Sequence, residues 1–464
     1  MTKPLSANNR RSLLFLAPKW TGSNGGDTVN RDLARALANL GFEVFVRVSE
    51  EYFEPESMHS NLIVNGLVPF PGVSLKERAN LFRREGLPRE VDIIVGHGRL
   101  TGGAAQYLQQ QVYPTAARVQ FVHADTGAMD VRRNLFGTRE QLAAGIEESE
   151  SHEREEVLLI EGAALTIGVG PVLTAYASKL ASQCGNPPQV YDMFPGVEVF
   201  DQPLLSGDPK KINLLLLGRV DDPIKGVDIA ANMVRELRGR GYTGFGSDGK
   251  PEVNLIIRGA NPDTVSKITG KVSRMADCAV EVRPFTADRK EIQSDIRAAS
   301  VLLMPSRLEG FGLVGTEGLG NGVPVLVSGC SGLGEVLSDP NRFPNHMAEL
   351  FVVPMTGKEP TENIVGSWAD KLMTIIDDLP EARVAAATVQ SYLAQTYTWD
   401  HVARALGSVL EGLPRGSVSS SNINPVTLGF TTGLGGTQAG QSGGVVAKPY
   451  VPPFKSNDPP DSER

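Results

Sequence analysis

Residues 305–337 read PSRLEGFGLVGTEGLGNGVPVLVSGCSGLGEVL, and this stretch decides the fold of its half of the chain. An apolar run, Val301–Met304, ends at Pro305, and a second apolar run, Val323–Val327, follows Gly322. Two short apolar runs separated by a glycine-bearing loop and a helix are typical of a parallel α/β unit. The stretch therefore predicts a strand, a loop, a helix and a second strand of one parallel sheet.

The loop of this unit has the chemistry of an anion site. Gly310 and Gly312 let backbone amides come close to a ligand, because glycine has no side chain. A helix that begins near Leu313 would direct its positive end and its unpaired N–H groups to the same place. Glu309 and Glu317 add two carboxylates. This combination predicts a site for an anion that carries hydroxyl groups nearby.

A dinucleotide site is a weaker interpretation of the same loop. Gly310, Gly312 and Gly315 satisfy G-x-G-x-x-G, and Glu335 stands about where a ribose-binding acid is expected. In the dinucleotide fingerprint, however, the first glycine ends the strand itself. Here four residues, 306–309, intervene after the strand stops at Pro305. We therefore rank a nicotinamide-type site below the next interpretation.

Glu309 and Glu317, eight apart around Gly-Phe-Gly and followed by GVPV and Gly334-Glu335, resemble the donor site of retaining glycosyltransferases of family 4. That family has the GT-B fold. The resemblance implies that Glu317 holds the ribose hydroxyls of a nucleotide sugar and that Glu309 lies by the transferred sugar. It also implies that the segment Gly310, Phe311, Gly312 and Leu313 borders the donor.

The helix after this loop departs from the family pattern at one place. The family usually has Leu-Glu-Ala-Met-Ala, whereas this chain has Thr-Glu-Gly-Leu-Gly at 316–320. Each glycine inside a helix costs about 1 kcal/mol relative to alanine. The departure predicts a looser helix than the family norm, and a lower affinity for the donor.

Two cations follow the first strand of the second half. Arg219 and Lys225 lie in GRVDDPIKG at 218–226, between a strand end and a helix start, where open α/β sheets bind ligands. A departing nucleoside diphosphate gains negative charge, so cations here would stabilise the transition state more than the ground state. The alternative is a surface turn with solvated charges. The segment also resembles the Gly-Arg…Lys-Gly element of the same family, with a loop one residue longer than usual.

Two features of the first half complete the predicted site. Gly25 and Gly26 precede a helix and resemble the family's glycine loop, which borders the donor phosphates and the acceptor; a plain turn is the alternative. His123 follows a strand and resembles the family's histidine beside the transferred sugar. His97 follows another strand in the same local context and competes for that role.

The chain as a whole alternates short apolar runs with helical periodicity, which predicts parallel sheets with helices on both faces. The predicted strands are Leu13–Ala17, Glu43–Val48, Val91–Val95, Val119–Val122, Leu165–Val169, Ile212–Leu217, Val253–Ile257, Val280–Val282, Val301–Met304 and Val323–Val327. Together with the resemblance, this predicts a GT-B fold of two Rossmann-like, doubly wound parallel-sheet domains that face each other across a cleft.

We place three segments along the chain: an acceptor domain at 1–200, a donor domain at 201–413 and a low-complexity tail at 414–464. Residues 201–209 are rich in turn formers and mark the hinge. One or two closing helices are predicted over Val384–Leu413, and the resemblance implies that the last one crosses back to the first domain. The tail is dominated by Gly, Ser, Thr and Pro, so we expect it to be disordered.

Composition narrows the functional class. A length of 464 residues suggests two to three domains, and a net charge of −8 gives no general attraction to nucleic acid. The N-terminal apolar run is too short for a signal peptide, and no stretch approaches a membrane span. Three widely separated cysteines, Cys184, Cys278 and Cys330, fit a reducing cytoplasm better than a disulfide framework.

Metals and membranes carry weaker signals. The six histidines show no H-E-x-x-H and the cysteines no C-x-x-C, so we expect no metal site and no cofactor other than the donor substrate. Ser74–Glu90 could form an amphipathic helix that contacts a membrane surface to reach a lipid acceptor. Its mixed charges favour an ordinary solvated helix instead.

The sequence therefore predicts a metal-independent, retaining hexosyltransferase that moves a sugar from a nucleotide-diphosphate sugar to an unidentified hydroxyl acceptor. One rival is a catalytically silent nucleotide-sugar sensor, against which Arg219, Lys225, Glu309 and Glu317 count. Another is a GT-B phosphorylase or epimerase. The sugar, the nucleotide, the acceptor and the oligomeric state do not follow from the sequence.

Overall fold

The computed structural model describes residues 11–20, 25–50, 60–68, 78–135, 137–201, 210–243, 249–343 and 348–414. The predicted tail, almost all of the predicted hinge and the first part of the predicted helix Ser74–Glu90 lie outside these residues. The two predicted domain boundaries stay predictions. Among the described residues, every helix is either too short or too polar to span a bilayer.

The first sheet has seven parallel strands in the order β3-β2-β1-β4-β5-β6-β7. The strands are β1 Ser12–Ala17, β2 Glu43–Val48, β3 Leu62–Asn65, β4 Ile93–His97, β5 Ala117–Val122, β6 Leu165–Val169 and β7 Gln189–Met193. Most of their side chains are buried, as expected for strands that helices cover on both faces. The helices of this half are α1 Gly25–Asn39, α2 Gly98–Gln111, α3 Thr126–Arg133, α4 Arg139–Ile160 and α5 Pro171–Ala181.

The second sheet has six parallel strands in the order β10-β9-β8-β11-β12-β13. The strands are β8 Lys211–Leu217, β9 Glu252–Ala260, β10 Glu281–Pro284, β11 Val301–Met304, β12 Val325–Ser328 and β13 Val352–Val353. Its helices are α6 Val227–Gly239, α7 Val265–Ala276, α8 Arg289–Ala298, α9 Leu313–Gly320, α10 Gly332–Ser338 and α11 Thr361–Asp377. Two doubly wound parallel sheets confirm the predicted α/β class.

Each sheet has one point where the strand order reverses. In the first sheet it lies between β1 and β4, and in the second between β8 and β11. Ligands of open α/β sheets bind outside the carboxyl ends of the strands at such switch points. The segments that follow these four strands begin at Pro18, Gly98, Gly218 and Pro305. The fold and the sequence therefore indicate the same segments as candidates for ligand binding.

Two closing helices end the described chain, α12 Leu379–Thr396 and α13 Trp399–Gly412. Helix α13 packs against α1 of the first half, where Gly407 leaves room for the ring of Phe42. The carbonyl of Leu413 accepts a hydrogen bond from Arg11. These contacts agree with the predicted return of the last helix to the first half.

The prediction of an α-helix over Ser74–Glu90 is wrong for its described part. Residues 79–82 form only one 3₁₀ turn, and the chain is irregular from 83 to 90. The cause is Arg47, which is fully buried on β2. Its Nη1 donates to the carbonyls of Asn80 at 3.1 Å and Arg83 at 2.9 Å. The Asn80 carbonyl also accepts the last backbone hydrogen bond of the 3₁₀ turn, from Arg83, and the guanidinium takes the Arg83 carbonyl that would continue a helical ladder.

Candidate active site

Lys225 and Glu309 meet at the switch point of the second sheet. Lys225 ends a 3₁₀ turn, Pro223–Lys225, and its Nζ lies 2.5 Å from Glu309 Oε2. Gly226 makes this meeting possible: its φ is 68°, and a Cβ there would lie 2.1 Å from the carbonyl oxygen of Pro305. The loop after β8 can thus lie directly on the loop after β11, and a cation and a carboxylate 84 positions apart form one pair.

Arg219 lies at the surface, in the same loop after β8 as Lys225. Its side chain is 65% exposed, and its Nη2 lies 3.5 Å from Asp222 Oδ2. Arg133 from α3 of the first half contacts the same carboxylate at 3.0 Å. Asp222 therefore joins the donor-side loop to the first half, a contact that no local sequence pattern indicates.

The segment from Gly310 to Leu313 lies between the two halves. The ring of Phe311 is buried and meets the ring of Phe194 edge-on, with centroids 5.0 Å apart. Gly312, with φ of 108°, precedes the first turn of α9. Leu313 approaches Gly25, where a Cβ would lie 3.3 Å from Leu313 Cδ1. Since the Phe311 ring is committed to packing, this segment would contact a donor through its backbone.

Glu317 projects from α9 into a group of charges drawn from both halves. Loss of water raises its pKa to about 7, with smaller electrostatic effects from Arg289, Asp32 and Glu198. A carboxyl group of this kind gains or loses its charge near neutral pH. It lies where the resemblance expects a ribose-binding acid, in the helix that the Gly310–Leu313 segment opens.

His97 and His123 form one hydrogen-bonded pair. His97 Nδ1 lies 2.7 Å from His123 Nε2, because β4 and β5 are neighbours and end side by side. Burial lowers the pKa of His123 to about 4 and that of His97 well below its usual value. Both rings are therefore neutral at physiological pH. The two histidines that compete for one role in the sequence are therefore hydrogen-bonded to each other.

A cavity of about 230 Å³ opens beside this pair, at the switch point of the first sheet. Its lining includes the predicted residues Gly26 and His123, and also Asn30, Arg99, Thr126 and Glu156. Glu156 on α4 is buried and accepts hydrogen bonds from Tyr176 Oη at 2.6 Å and Thr126 Oγ1 at 3.2 Å. Burial raises the pKa of this carboxyl to about 7.

Sequence reasoning missed Glu156, although a signal was present. Glu156 precedes the buried Leu159 and Ile160 by three and four residues. That spacing places the three side chains on one face of a helix. A glutamate on the apolar face of a helix is rarely left without a partner, and it marks a candidate site.

One group of metal-ligand types appears that the sequence motifs did not reveal. Asp130 of α3 and Glu148 and His152 of α4 place their ligand atoms within 4.8 Å of one another. His152 Nδ1 is 2.7 Å from Asp130 Oδ2, and Arg133 Nη1 is 3.5 Å from Asp130 Oδ1. The group combines residues of two helices, so no short sequence motif could reveal it. The cation of Arg133 already faces its central carboxylate.

Comparisons with known proteins show the family of this chain. Residues 14–406 match the family described as "Family 4 Glycosyltransferase in conflict systems". D-inositol 3-phosphate glycosyltransferase of Pseudarthrobacter chlorophenolicus is 26% identical over 415 residues, which cover 82% of this chain and 89% of that protein.

Solved structures give the same fold. Sucrose-phosphate synthase from Thermosynechococcus elongatus has a TM-score of 0.63 at 17% identity, over 86% of this chain and 98% of that one. A trehalose-6-phosphate structure from E. coli bound with UDP-2-fluoro glucose has a TM-score of 0.57 at 13% identity, over 87% and 99%. The predicted two-domain GT-B architecture is confirmed.

Proposed function

Because this chain belongs to the family 4 glycosyltransferases, we propose that it moves a hexose-type sugar from a nucleotide-diphosphate sugar to a hydroxyl acceptor. In this proposal the anomeric configuration is retained and no metal takes part. The observation that carries the proposal is the 2.5 Å contact between Lys225 and Glu309 at the switch point of the second sheet. It supplies a cation for a diphosphate and a carboxylate for a sugar at one place.

The donor would lie along α9 and the two loops that precede it. Glu317 accepts hydrogen bonds from the ribose hydroxyls, and the first turn of α9 faces the phosphates with its N–H groups. Lys225 and the exposed Arg219 neutralise the charge that grows on the departing diphosphate. Lys225 then exchanges part of its contact with Glu309 for a phosphate oxygen, which leaves Glu309 beside the sugar.

The acceptor would enter from the first half. The neutral His123 and His97 cannot act as cationic acids, but their pair offers a hydrogen-bond donor and an acceptor at fixed positions. Gly25 allows the start of α1 to approach Leu313, so both substrates can share one cleft. The relative bound to UDP-2-fluoro glucose supports a hexose on the donor. A cytoplasmic location remains a prediction.

The first test is release of nucleoside diphosphate from a panel of nucleotide hexoses by the full chain. Removing a cation that faces the departing diphosphate should slow turnover by about a hundredfold or more, so Lys225→Ala and Arg219→Ala should each lose activity. Lys267→Ala and Arg404→Ala, at exposed positions of α7 and α13, are matched controls and should keep it. Near-normal rates in Lys225→Ala and Arg219→Ala would overturn the proposed roles.

A second arm tests metal independence. Wild-type turnover should persist in EDTA, because Lys225 and Arg219 take the place of a metal ion at the diphosphate. His152→Ala should behave like wild type with and without EDTA. If chelation abolished wild-type turnover and His152→Ala reproduced that loss, a metal held by Asp130, Glu148 and His152 would be required and the metal-free mechanism would be wrong. Proton NMR of the product's anomeric centre would test retention.

A further inference from the structure

The cavity at the switch point of the first sheet holds buried polar atoms that lack a partner. Asn30 is 2% exposed and His97 is 5% exposed. Asn30 Oδ1, His97 Nε2 and Arg99 Nε are buried, and none of these three atoms has a hydrogen-bond partner. All three residues line the cavity. Buried polar atoms are nearly always satisfied in folded proteins, so unpaired atoms around one cavity indicate a ligand that pairs them.

The three atoms require different partners. Asn30 Oδ1 accepts a hydrogen bond, and Arg99 Nε donates one. His97 Nε2 does one or the other, according to which ring of the histidine pair holds the shared proton. A hydroxyl group donates and accepts, so a polyhydroxylated ligand can satisfy all three atoms. A phosphate dianion only accepts and would leave the Asn30 oxygen unpaired.

The charges at the cavity also favour a neutral ligand over a phosphate. Two buried carboxyl groups, those of Asp27 and Glu156, belong to the lining. Arg99 is the lining cation that the structure describes, and its Nη1 lies 3.2 Å from Glu155 Oε2 outside the lining. An incoming phosphate would meet carboxylates and only one shared cation. A neutral ligand meets no such opposition.

We propose that this cavity is the acceptor subsite and that it takes one unphosphorylated sugar or polyol ring, with Asn30, His97 and Glu156 bonded to its hydroxyls. This inference rests on the proposed function and deepens it by naming the class of acceptor. A volume of about 230 Å³ is below the roughly 300–1,000 Å³ of sites for drug-sized ligands, which suits a single ring. Tyr176 and Thr126 hold the Glu156 carboxyl in place with one hydrogen bond to each oxygen, and each carboxylate oxygen can accept a further one from a ligand hydroxyl.

Ligand-observed NMR on the full chain tests the proposal without any turnover. The probes are D-glucose, D-galactose, D-mannose and myo-inositol, each compared with its monophosphate, at about pH 8, where the Glu156 carboxyl is mostly ionised. At least one neutral probe should bind more tightly than its monophosphate. Asn30→Ala should weaken that binding by about fivefold or more, since it removes a buried hydrogen-bond partner. Asn363→Ala, at an exposed position of α11, is the matched control.

Glu156→Gln keeps the shape of the carboxyl and removes its charge. It therefore tests the preference for a neutral ligand even if Asn30→Ala fails to fold. It should leave neutral binding within about threefold and strengthen monophosphate binding by about fivefold or more. Tighter binding of the monophosphates to the wild type, no binding of any neutral probe, or equal binding by Asn30→Ala would overturn the proposal. Absence of nucleoside diphosphate release with intact saccharide binding would contradict the proposed function instead.

Discussion

At the residue scale, two glutamates with similarly raised pKa values lie at the two proposed substrate sites. Glu156 and Glu317 each have a pKa raised to about 7 by burial. Glu156 belongs to the first half and its cavity, and Glu317 to the helix that would hold the donor. The ionised form of each is the better hydrogen-bond acceptor. We therefore expect two properties to depend on protonation near neutral pH: donor binding at Glu317 and the rejection of phosphates at Glu156.

The pH dependence of donor binding follows from Glu317. If its ionised carboxylate accepts the ribose hydroxyls, wild-type affinity for a nucleotide sugar should fall about tenfold from about pH 8 to about pH 6, as a group of pKa about 7 becomes protonated. Glu317→Gln should bind about tenfold more weakly at pH 8 and should show no pH dependence. Calorimetry with an intact nucleotide sugar measures this, because its diphosphate diester does not titrate in the range.

The opposite result is informative too. Wild-type affinity that rises toward pH 6, or wild-type affinity in Glu317→Gln at pH 8, would remove Glu317 from the donor site. Glu362→Gln, at an exposed position of α11, is the matched control. Its donor binding should follow the wild-type pH profile.

How much of the site the sequence could reveal depends on whether its residues lie in one segment. Glu309, Glu317, Arg219 and Lys225 could be proposed from the sequence because each pair has a local spacing. Glu156 was missed because its partners, Tyr176 and Thr126, come from other elements. The choice between His97 and His123 could not be settled from sequence, since only the pairing of β4 with β5 puts the two rings in contact.

At the scale of elements, the glycines of helix α9 have a packing role that helix propensity does not reveal. They lie where a larger side chain would collide with neighbouring atoms. A Cβ at Gly318 would lie 2.8 Å from Val325 Cγ1, and one at Gly320 would lie 2.4 Å from the carbonyl oxygen of Glu198. The helix thus lies unusually close to β12 and to the segment that joins the halves. Propensity alone could not predict this, because the cause is tertiary.

Alanine at Gly320 separates propensity from packing. Helix propensity favours alanine by about 1 kcal/mol, whereas the collision with the Glu198 carbonyl should cost about 1–3 kcal/mol or more. We therefore expect Gly320→Ala to lower the unfolding free energy. Gly270→Ala is the matched control: Gly270 lies inside α7, and nothing lies within 4 Å of the position that a Cβ would take there. Alanine at that position should stabilise by about 0.5–1 kcal/mol.

Urea unfolding of both variants measures the difference. Stabilisation by Gly320→Ala would show that α9 does not approach the chain at Glu198 as closely as described.

Strands could be predicted from the sequence better than the helix over 78–90. Most predicted strands match the structure to within a few residues, whereas that helix does not occur. Apolar runs report burial directly, but a buried arginine that captures backbone carbonyls leaves no local pattern.

At the scale of the whole molecule, contacts between distant segments join the two halves. Arg133 meets Asp222, Arg342 meets Asp192, and Arg289 lies 2.8 Å from Glu198. The pair of Arg289 with Glu198 is exposed, and such pairs contribute little to stability, whereas the other two pairs are partly buried. The apolar packing of α13 on α1 is the larger contribution, because five of its residues are buried: Val402, Ala403, Leu406, Gly407 and Leu410.

Two truncations test which C-terminal residues contribute to the stability of the fold. Residues 415–464 lie outside the described residues, and their composition predicts little apolar surface to bury. A chain that stops at Leu413 should therefore keep its melting temperature and basal activity. A chain that stops at Thr396 loses α13, whose Val and two Leu side chains each contribute about 1.5–3 kcal/mol when buried. That sum is comparable with the whole stability of many domains.

If the shorter chain does not fold at all, Leu406→Ala replaces it. This single change should cost about 2–5 kcal/mol, because the 1% exposed Leu406 leaves a cavity in the packing of α13. Arg404→Ala on the exposed face of the same helix should change the unfolding free energy by less than about 0.5 kcal/mol. A wild-type melting curve for Leu406→Ala would mean that α13 does not tie the halves together, and a large loss on stopping at Leu413 would mean that the tail contributes to the fold.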